Sequence, residues 1–417
     1  MMETQELIHG HKVIKPPRGV PVWDVDPYDD AIVTAPNAFF TELRSKGPFA
    51  YLPQYGMLAC GGYAVTREVF SDHERFVSSR GVGLSDFSLE EPWRPPSVVL
   101  EVDPPYHTKT RRVIMRALSP KAVRELREAF KIDAERLIDE VVANGEIEAV
   151  AELAEAFPTK VFPQAVGIKL PDRRKLIDYG AMVFNAIGPD NDRRKASMGR
   201  AAQIVPWIND QCLRENLATN GIGASIYAAV DGGEISQEEA GMLVRSLLSA
   251  GVDTTVTAIG NALWCLATNP GEYEKLKSDP EGLALATFEE TLRHTSPVQA
   301  FCRTAATDTE VCDVKIEGGT KILCVLGAAN ADPDHWENAS VFDITRNAAG
   351  HLALGVGIHA CVGQNIARAE GVAILRALAE RVERIESTGK AVWRANNAIH
   401  ALDRLPLRMI PLKPDRL

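Results

Sequence analysis

The sequence predicts a mainly α-helical fold carrying small β-sheets, and three features support this. Two long segments repeat apolar residues at helical spacing between recognisable caps. Short β-like pieces occur only towards the two ends, and no repeat, low-complexity tract or linker divides the chain. A helical majority flanked by sheets drawn from both ends argues for one intertwined domain over 1–417, with a disordered or extended N-terminal segment at about 1–24.

In chain order, residues 47–63 ("GPFAYLPQYGMLACGGY") predict a hairpin of short strands turning near Pro53 to Gly56. "SPKAVRELREAFKIDAERLIDEVVANG" predicts an amphipathic helix. Ser119 is its N-cap and Pro120 its first residue, the apolar face is Val123, Leu126, Phe130, Leu137 and Val141, and Gly145 ends it. A longer helix starts at the capping box Ser236 to Glu239 and runs to Pro270, roughly 50 Å at about 1.5 Å per residue. After residue 295 come the β-like pieces "TEVCDVKIEGG" and "TKILCVLGAAN", a glycine-rich cysteine loop, a helix from Gln364 and a strand-like tail.

Composition excludes several classes. A chain of 417 residues, 45% hydrophobic and 24% charged, can bury a large core. Its net charge of -10 argues against nucleic acid or an anionic membrane surface as the main partner. Seven cysteines with no CxxC spacing fit a reducing cytoplasm. No basic-then-apolar leader opens the sequence, and no apolar run reaches bilayer length, so neither secretion nor membrane anchoring is expected.

Four short motifs carry chemistry. "AGVDTT" places Ala250-Gly251 and then Asp253-Thr254 inside the longest helix, where such residues are poor helix formers. Gly251 can allow close packing while Thr254 bonds back to a carbonyl; alternatively the helix loosens around a pocket and the acid and hydroxyl deliver protons there. "ETLR" sets Glu290 and Arg293 three apart, either as a surface ion pair or, joined by Arg346 of "FDITR", as a buried cluster that fixes the following loop. In "HLALGVGIHACVGQNIARAEG", His359 and Cys361 could offer two zinc ligands, but no others stand at metal spacing. The glycines are better explained by one cysteine ligating a large flat cofactor. Gly355 and Gly357 permit unusual backbone angles, Gly363 allows a close approach to a ring face, and the start of the next helix favours a thiolate at Cys361.

Together and in this order, "GVGIHACVG", "AGVDTT", "ETLR" and "FDITR" resemble the cytochrome P-450 family, over nearly the whole chain from about residue 25. The resemblance implies the triangular-prism helical fold, haem b with Cys361 as axial ligand, and a structural cluster of Glu290, Arg293 and Arg346. It also implies that His107, Arg111, Arg303 and His359 meet the haem propionates, and that Asp253 and Thr254 relay protons for the activation of O2. Electrons would come from NAD(P)H through a flavin reductase and an iron–sulfur ferredoxin, docking near Lys109, Arg112 and Arg368. Leu354 departs from the family loop, which usually has Phe there, and this alters packing beside the sulfur.

Further segments ("GVGLSDFSLEEPWRPPSVVLEVDPP", "VFNAIG", "VRSLLSAG", "SPVQAF") resemble a bacterial subfamily that oxidises para-substituted benzoates. That resemblance implies that Arg94, Ser97, Arg245 and Ser246 hold a carboxylate, while Leu100, Phe184, Ile187, Val298 and Phe301 line the ring slot. Ile187 and Cys302 replace aromatics, which changes the preferred para group. The competing functions are oxidation of another small hydrophobic substrate, an isomerase or dehydratase that needs no O2, against which the Asp253-Thr254 pair speaks, and a haem sensor, which would not require the donors arranged around a carboxylate.

Overall fold

The computed structural model describes residues 6–169 and 171–412. The expected hairpin forms as β1 (Ala50–Leu52) and β2 (Met57–Cys60), and is followed by a short strand, β3 (Phe76–Val77). Helices α1 (Tyr106–Ala117) and α2 (Pro120–Asn144) come next. Ser119 caps α2 by accepting from the Ala122 amide, and Gly145, at φ 75°, closes it. Val123, Phe130 and Val141 are buried on its inner face, with Leu126 and Leu137 packed at the margin. Helix α3 is Arg173–Asn185, and α4 (Gln237–Ala250) starts at the predicted capping box, both of whose hydrogen bonds are present.

The single long helix expected from Ser236 to Pro270 is in fact two. After α4 the chain is interrupted at Gly251 and Val252, and α5 (Asp253–Thr268) follows. A Cβ on Gly251 would lie 2.3 Å from the Phe162 ring, so close packing against that ring holds a glycine where the helix breaks. The combined stretch Gln237–Thr268 does have the length and apolarity of a bilayer span, contrary to the expectation drawn from apolar runs, but 67% of its most apolar window is buried inside the protein.

Helix α6 (Pro280–Thr295) leads into β4 (Ala300–Ala305) and β5 (Lys321–Val325), and α7 (Gln364–Arg381) packs along α2 and α6. The largest sheet has the order β1-β2-β5-β4-β3. Its one parallel pairing joins β2 to β5, with Cys60 opposite Cys324, so residues from both ends of the chain share a sheet. The described part of the N-terminal segment, 6–24, is extended rather than disordered. It forms a short hairpin, pairs Val22 with Tyr51, and buries Ile14, Val20 and Trp23; residues 1–5 lie outside the described residues.

Candidate active site

The cysteine loop is suspended between two buried supports. Arg293 donates from Nε and Nη2 to both oxygens of Glu290, at 2.8 Å each, and both side chains are fully buried. Arg346 Nε reaches the same carboxylate at 3.3 Å, so the expected cluster exists and is not a surface ion pair. Arg293 also donates to the carbonyls of Asn330 and Ala339, and the Asn330 side chain accepts from the Leu352 amide at the loop's entrance. The second support was not read from the sequence. Glu289 accepts from Arg368 Nε (2.7 Å) and lies 3.2 Å from His351 Nε2, which ties the loop to α7. Burial raises the Glu289 pKa, but these partners outweigh it and bring the carboxyl down to about 2.

Within the loop, Gly355 (φ 70°) and Gly357 (φ 71°) occupy the left-handed region. The Cys361 amide donates to the Leu354 carbonyl (2.7 Å), and Cys361 stands three residues before the first residue of α7. Burial raises the thiol pKa, opposed by the Gly363 and Gln364 amides and by Arg111 and Arg368. A Cβ on Gly363 would come 3.9 Å from the sulfur.

Around the loop, donors converge with one carboxylate near them: Asp103 Oδ1 lies 3.7 Å from His359 Nε2, beyond hydrogen-bond distance. His107 and His359 stack at 4.5 Å between ring centroids, and His107 Nε2 and both His359 ring nitrogens are buried without a hydrogen-bond partner. Burial lowers the His107 pKa to about 4, with His359 adding to the effect. Arg303 lies 3.9 Å over the Phe70 ring; its Nη1 donates to the Cys302 carbonyl and its Nη2 has no partner. Complete burial lowers its pKa only to about 10, so the guanidinium stays charged at neutral pH with no carboxylate paired to it. Arg111 backs the loop by donating to the Ala360 carbonyl (2.5 Å). A buried guanidinium and unspent imidazole nitrogens fit a dianionic group such as the two propionates of haem, because isolated buried charge is costly.

In the interrupted helix the back-bond expected of Thr254 and a loosening of the helix occur together. Thr254 Oγ1 donates back to the Ala250 carbonyl (2.6 Å), while the break leaves that turn outside the regular helix. Asp253 is 1% exposed; its Oδ1 accepts from Arg394 Nη2 at 3.1 Å, and its Oδ2 is buried without a partner. The Arg394 side chain that holds it is 25% exposed, so Asp253 stands one side chain away from the surface. Gly180 of α3 sits against Asp253, since a Cβ there would lie 2.7 Å from the aspartate Cβ. Neither Arg394 nor Gly180 was singled out in the sequence, because both are remote in sequence from Asp253.

The four residues expected to hold a carboxylate are brought together. Ser97 Oγ and Ser246 Oγ are 3.1 Å apart, and Arg94 Nη1 and Arg245 Nη2 donate to the same Pro95 carbonyl. Glu101, which sequence reading missed, joins them. Its Oε2 accepts from Arg94 Nη1 (3.0 Å) and from the Ser97 amide (2.7 Å). Arg94 is thus an ion-pair partner with a buried, unspent Nε, not an isolated arginine. Phe184 and Val298 share a small apolar cluster with Ala398, Ile399 and Ala401, and Ile187 and Phe301 pack against it. Leu100 is half-buried, with its amide on Ser97 Oγ. The Ala398–Ala401 contribution was not legible, because the bridge from Val298 to Ile399 spans 101 residues of chain.

Two sequence expectations change. Cys302 faces the cluster that contains Leu84 and Leu323, while its neighbour Phe301 packs on the slot cluster; successive strand side chains point to opposite faces, so Cys302 does not line the slot. Of the three cations proposed for docking, Lys109 is paired with Glu239 and Arg368 with Glu289. Of these three, Arg112 alone is exposed and in no ion pair among the described residues.

A family model described as "Cytochrome P450" matches residues 283–393. The chain is 46% identical over 394 residues to "Cytochrome p450 CYP199A2" of Rhodopseudomonas palustris, covering 94% of this chain and 95% of that one. It is 31% identical to a steroid C26-monooxygenase of Rhodococcus jostii, covering 89% and 81%. Among solved structures it is similar to cytochrome P450 CYP109Q5 from Chondromyces apiculatus, with a TM-score of 0.78 and 28% identity over 93% of this chain and 99% of that one.

Proposed function

The chain belongs to the cytochrome P450 family of haem-dependent monooxygenases, and from that premise we propose that it inserts one oxygen atom from O2 into a small aromatic carboxylic acid, hydroxylating or O-demethylating the para substituent of a benzoate. When bound, haem b supplies the oxygen chemistry, with electrons from NAD(P)H through partner proteins. In this reading Cys361 would hold the haem iron through its sulfur, and His107, Arg111, Arg303 and His359 would receive the propionates. Asp253, paired with Arg394, and Thr254, whose hydroxyl donates to the Ala250 carbonyl, would carry protons towards O2. The electron donors are an iron–sulfur ferredoxin and a flavin reductase, met in the cytoplasm at a face that includes Arg112.

One observation carries the substrate class: a buried site with two guanidiniums, one carboxylate and an unspent Arg94 Nε. Such a site favours an anion, since buried charge must be paired. Helix α3 connects this site to the rest. Tyr179 lies beside the arginines, Gly180 lies over Asp253, and Phe184 is in the apolar cluster, so a ring held at one end by its carboxylate presents its para end at the other.

The test is a spin-state titration of the holoenzyme with 4-substituted benzoates and their amides. The acids should bind at least about tenfold tighter, the worth of one charge-assisted hydrogen bond. Equal affinity for acid and amide would overturn the substrate class and leave the family assignment standing. For the proton route, Thr254→Ala should keep consuming NADH while product falls and hydrogen peroxide rises; unchanged product per NADH would place the relay elsewhere.

A further inference from the structure

The carboxylate-holding cluster already contains a carboxylate. Glu101 is 6% exposed and spends Oε2 on both Arg94 and the Ser97 amide, two of the groups available to a bound acid. Arg245 is 8% exposed, is in no ion pair among the described residues, and donates only to the Pro95 carbonyl. The other ionisable side chains facing the arginines are neutral: burial raises the Tyr179 pKa and pushes the Cys212 thiol up to about 12. Two guanidiniums against one carboxylate leave a buried excess of one positive charge (two minus one). Without Glu101 the excess would be two.

We propose that Glu101 is the specificity-determining residue that sets this site to accept one negative charge, so that it takes monoanionic aromatic acids and rejects both neutral analogues and dianions. The proposal rests on the carboxylate reading of the site and adds the charge limit. A second negative charge in the ligand would lie beside Glu101 with no cation left to neutralise it, and at a largely buried site like charges repel more strongly than in water. Glu101 also keeps Arg94 oriented between ligands, because its Oε2 fixes Nη1 while Nε stays free.

The experiment separates charge from shape. Calorimetric affinities of the holoenzyme are measured for 4-methylbenzamide, 4-methylbenzenesulfonate and fully ionised 4-methylphenylphosphonate, which carry no charge, one and two. The two anions share a tetrahedral head. Wild-type protein should bind the sulfonate at least about tenfold tighter than the phosphonate. In Glu101→Gln, which can still accept from the Ser97 amide, the gain in affinity should scale with ligand charge: none for the amide, some factor for the sulfonate, and about the square of that factor for the phosphonate. A common factor for all three ligands, or no change in any, would overturn the proposal. Should Glu101→Gln fail to fold, a wild-type protein that binds the phosphonate as tightly as the sulfonate overturns it just as well. The two readings fail differently: equal wild-type affinity for 4-methylbenzoate and its amide removes the carboxylate site itself. A clear preference for the acid that Glu101→Gln leaves untouched removes only the role of Glu101.

Discussion

Two buried constellations in this protein have the same composition. Glu290 with Arg293 and Arg346 supports the cysteine loop, and Glu101 with Arg94 and Arg245 lies beside Ser97 and Ser246. Each sets two guanidiniums against one carboxylate, yet they are finished differently. In the first, Arg293 and Arg346 spend their remaining donors on the carbonyls of Asn330, Ala339, Glu337 and Asn338. In the second, Arg94 Nε has no partner and Arg245 makes one hydrogen bond to a carbonyl. Charge and residue type do not distinguish a structural ion cluster from a binding site; the number of donors left unspent does.

The largest contrast should be in stability. Arg293→Ala leaves the buried Glu290 with only the longer ion pair to Arg346 and frees the carbonyls that Arg293 held, which should cost about 3–5 kcal/mol and release haem along with the loop. Arg245→Met removes a buried charge that lacks a counterion and should be neutral or slightly stabilising. Thermal unfolding of both variants measures the difference, and equal losses would break the comparison. Affinity should show the reverse. Arg94→Ala should weaken a 4-substituted benzoate roughly 10- to 100-fold and its amide much less, read by spin-state titration.

Acid should sharpen the comparison from the loop side. Glu289 has its folded pKa depressed to about 2 against about 4.3 when unfolded, so its contribution to stability is complete above about 4.3 and is lost as pH falls towards 2. Glu289→Gln should flatten the stability curve in that window, and at neutral pH should lower stability without changing the slope of the curve. An unaltered acid limb would mean that His351 and Arg368 hold the loop without it. The smallest expected effect is at Leu354, which is half-buried and whose carbonyl accepts from the Cys361 amide. Leu354→Phe changes only the packing beside the sulfur and should move the haem reduction potential, measured by spectroelectrochemistry, without changing affinity for benzoate. An unmoved potential would make the substitution neutral.

Much of the fold was legible because it is written in local rules. The Ser119 cap, the Ser236–Glu239 box, the 47–63 hairpin and the start of the helix at Gln364 each follow from residues within a turn or two of one another. The break at Gly251 was half legible. The poor helix formers were visible, but the Phe162 ring that excludes any side chain there lies 89 residues away. The resemblance to a known family pointed to which polar residues should gather, and the structure brings together Glu290 with Arg293 and Arg346, and Arg94 with Arg245, Ser97 and Ser246.

The sequence by itself determined the elements, the cysteine loop with its glycines, and the residue types available to a buried anion. Tertiary structure alone decided that Glu101 stands among the arginines, that Arg394 holds Asp253, that Glu289 ties the loop to α7, and that Cys302 faces away from the slot. The reason is physical: a cap or a periodic face is set by neighbours along the chain, whereas the partner of a buried charge is whichever group folding brings within hydrogen-bond distance, and among residues far apart in sequence no spacing rule records that choice.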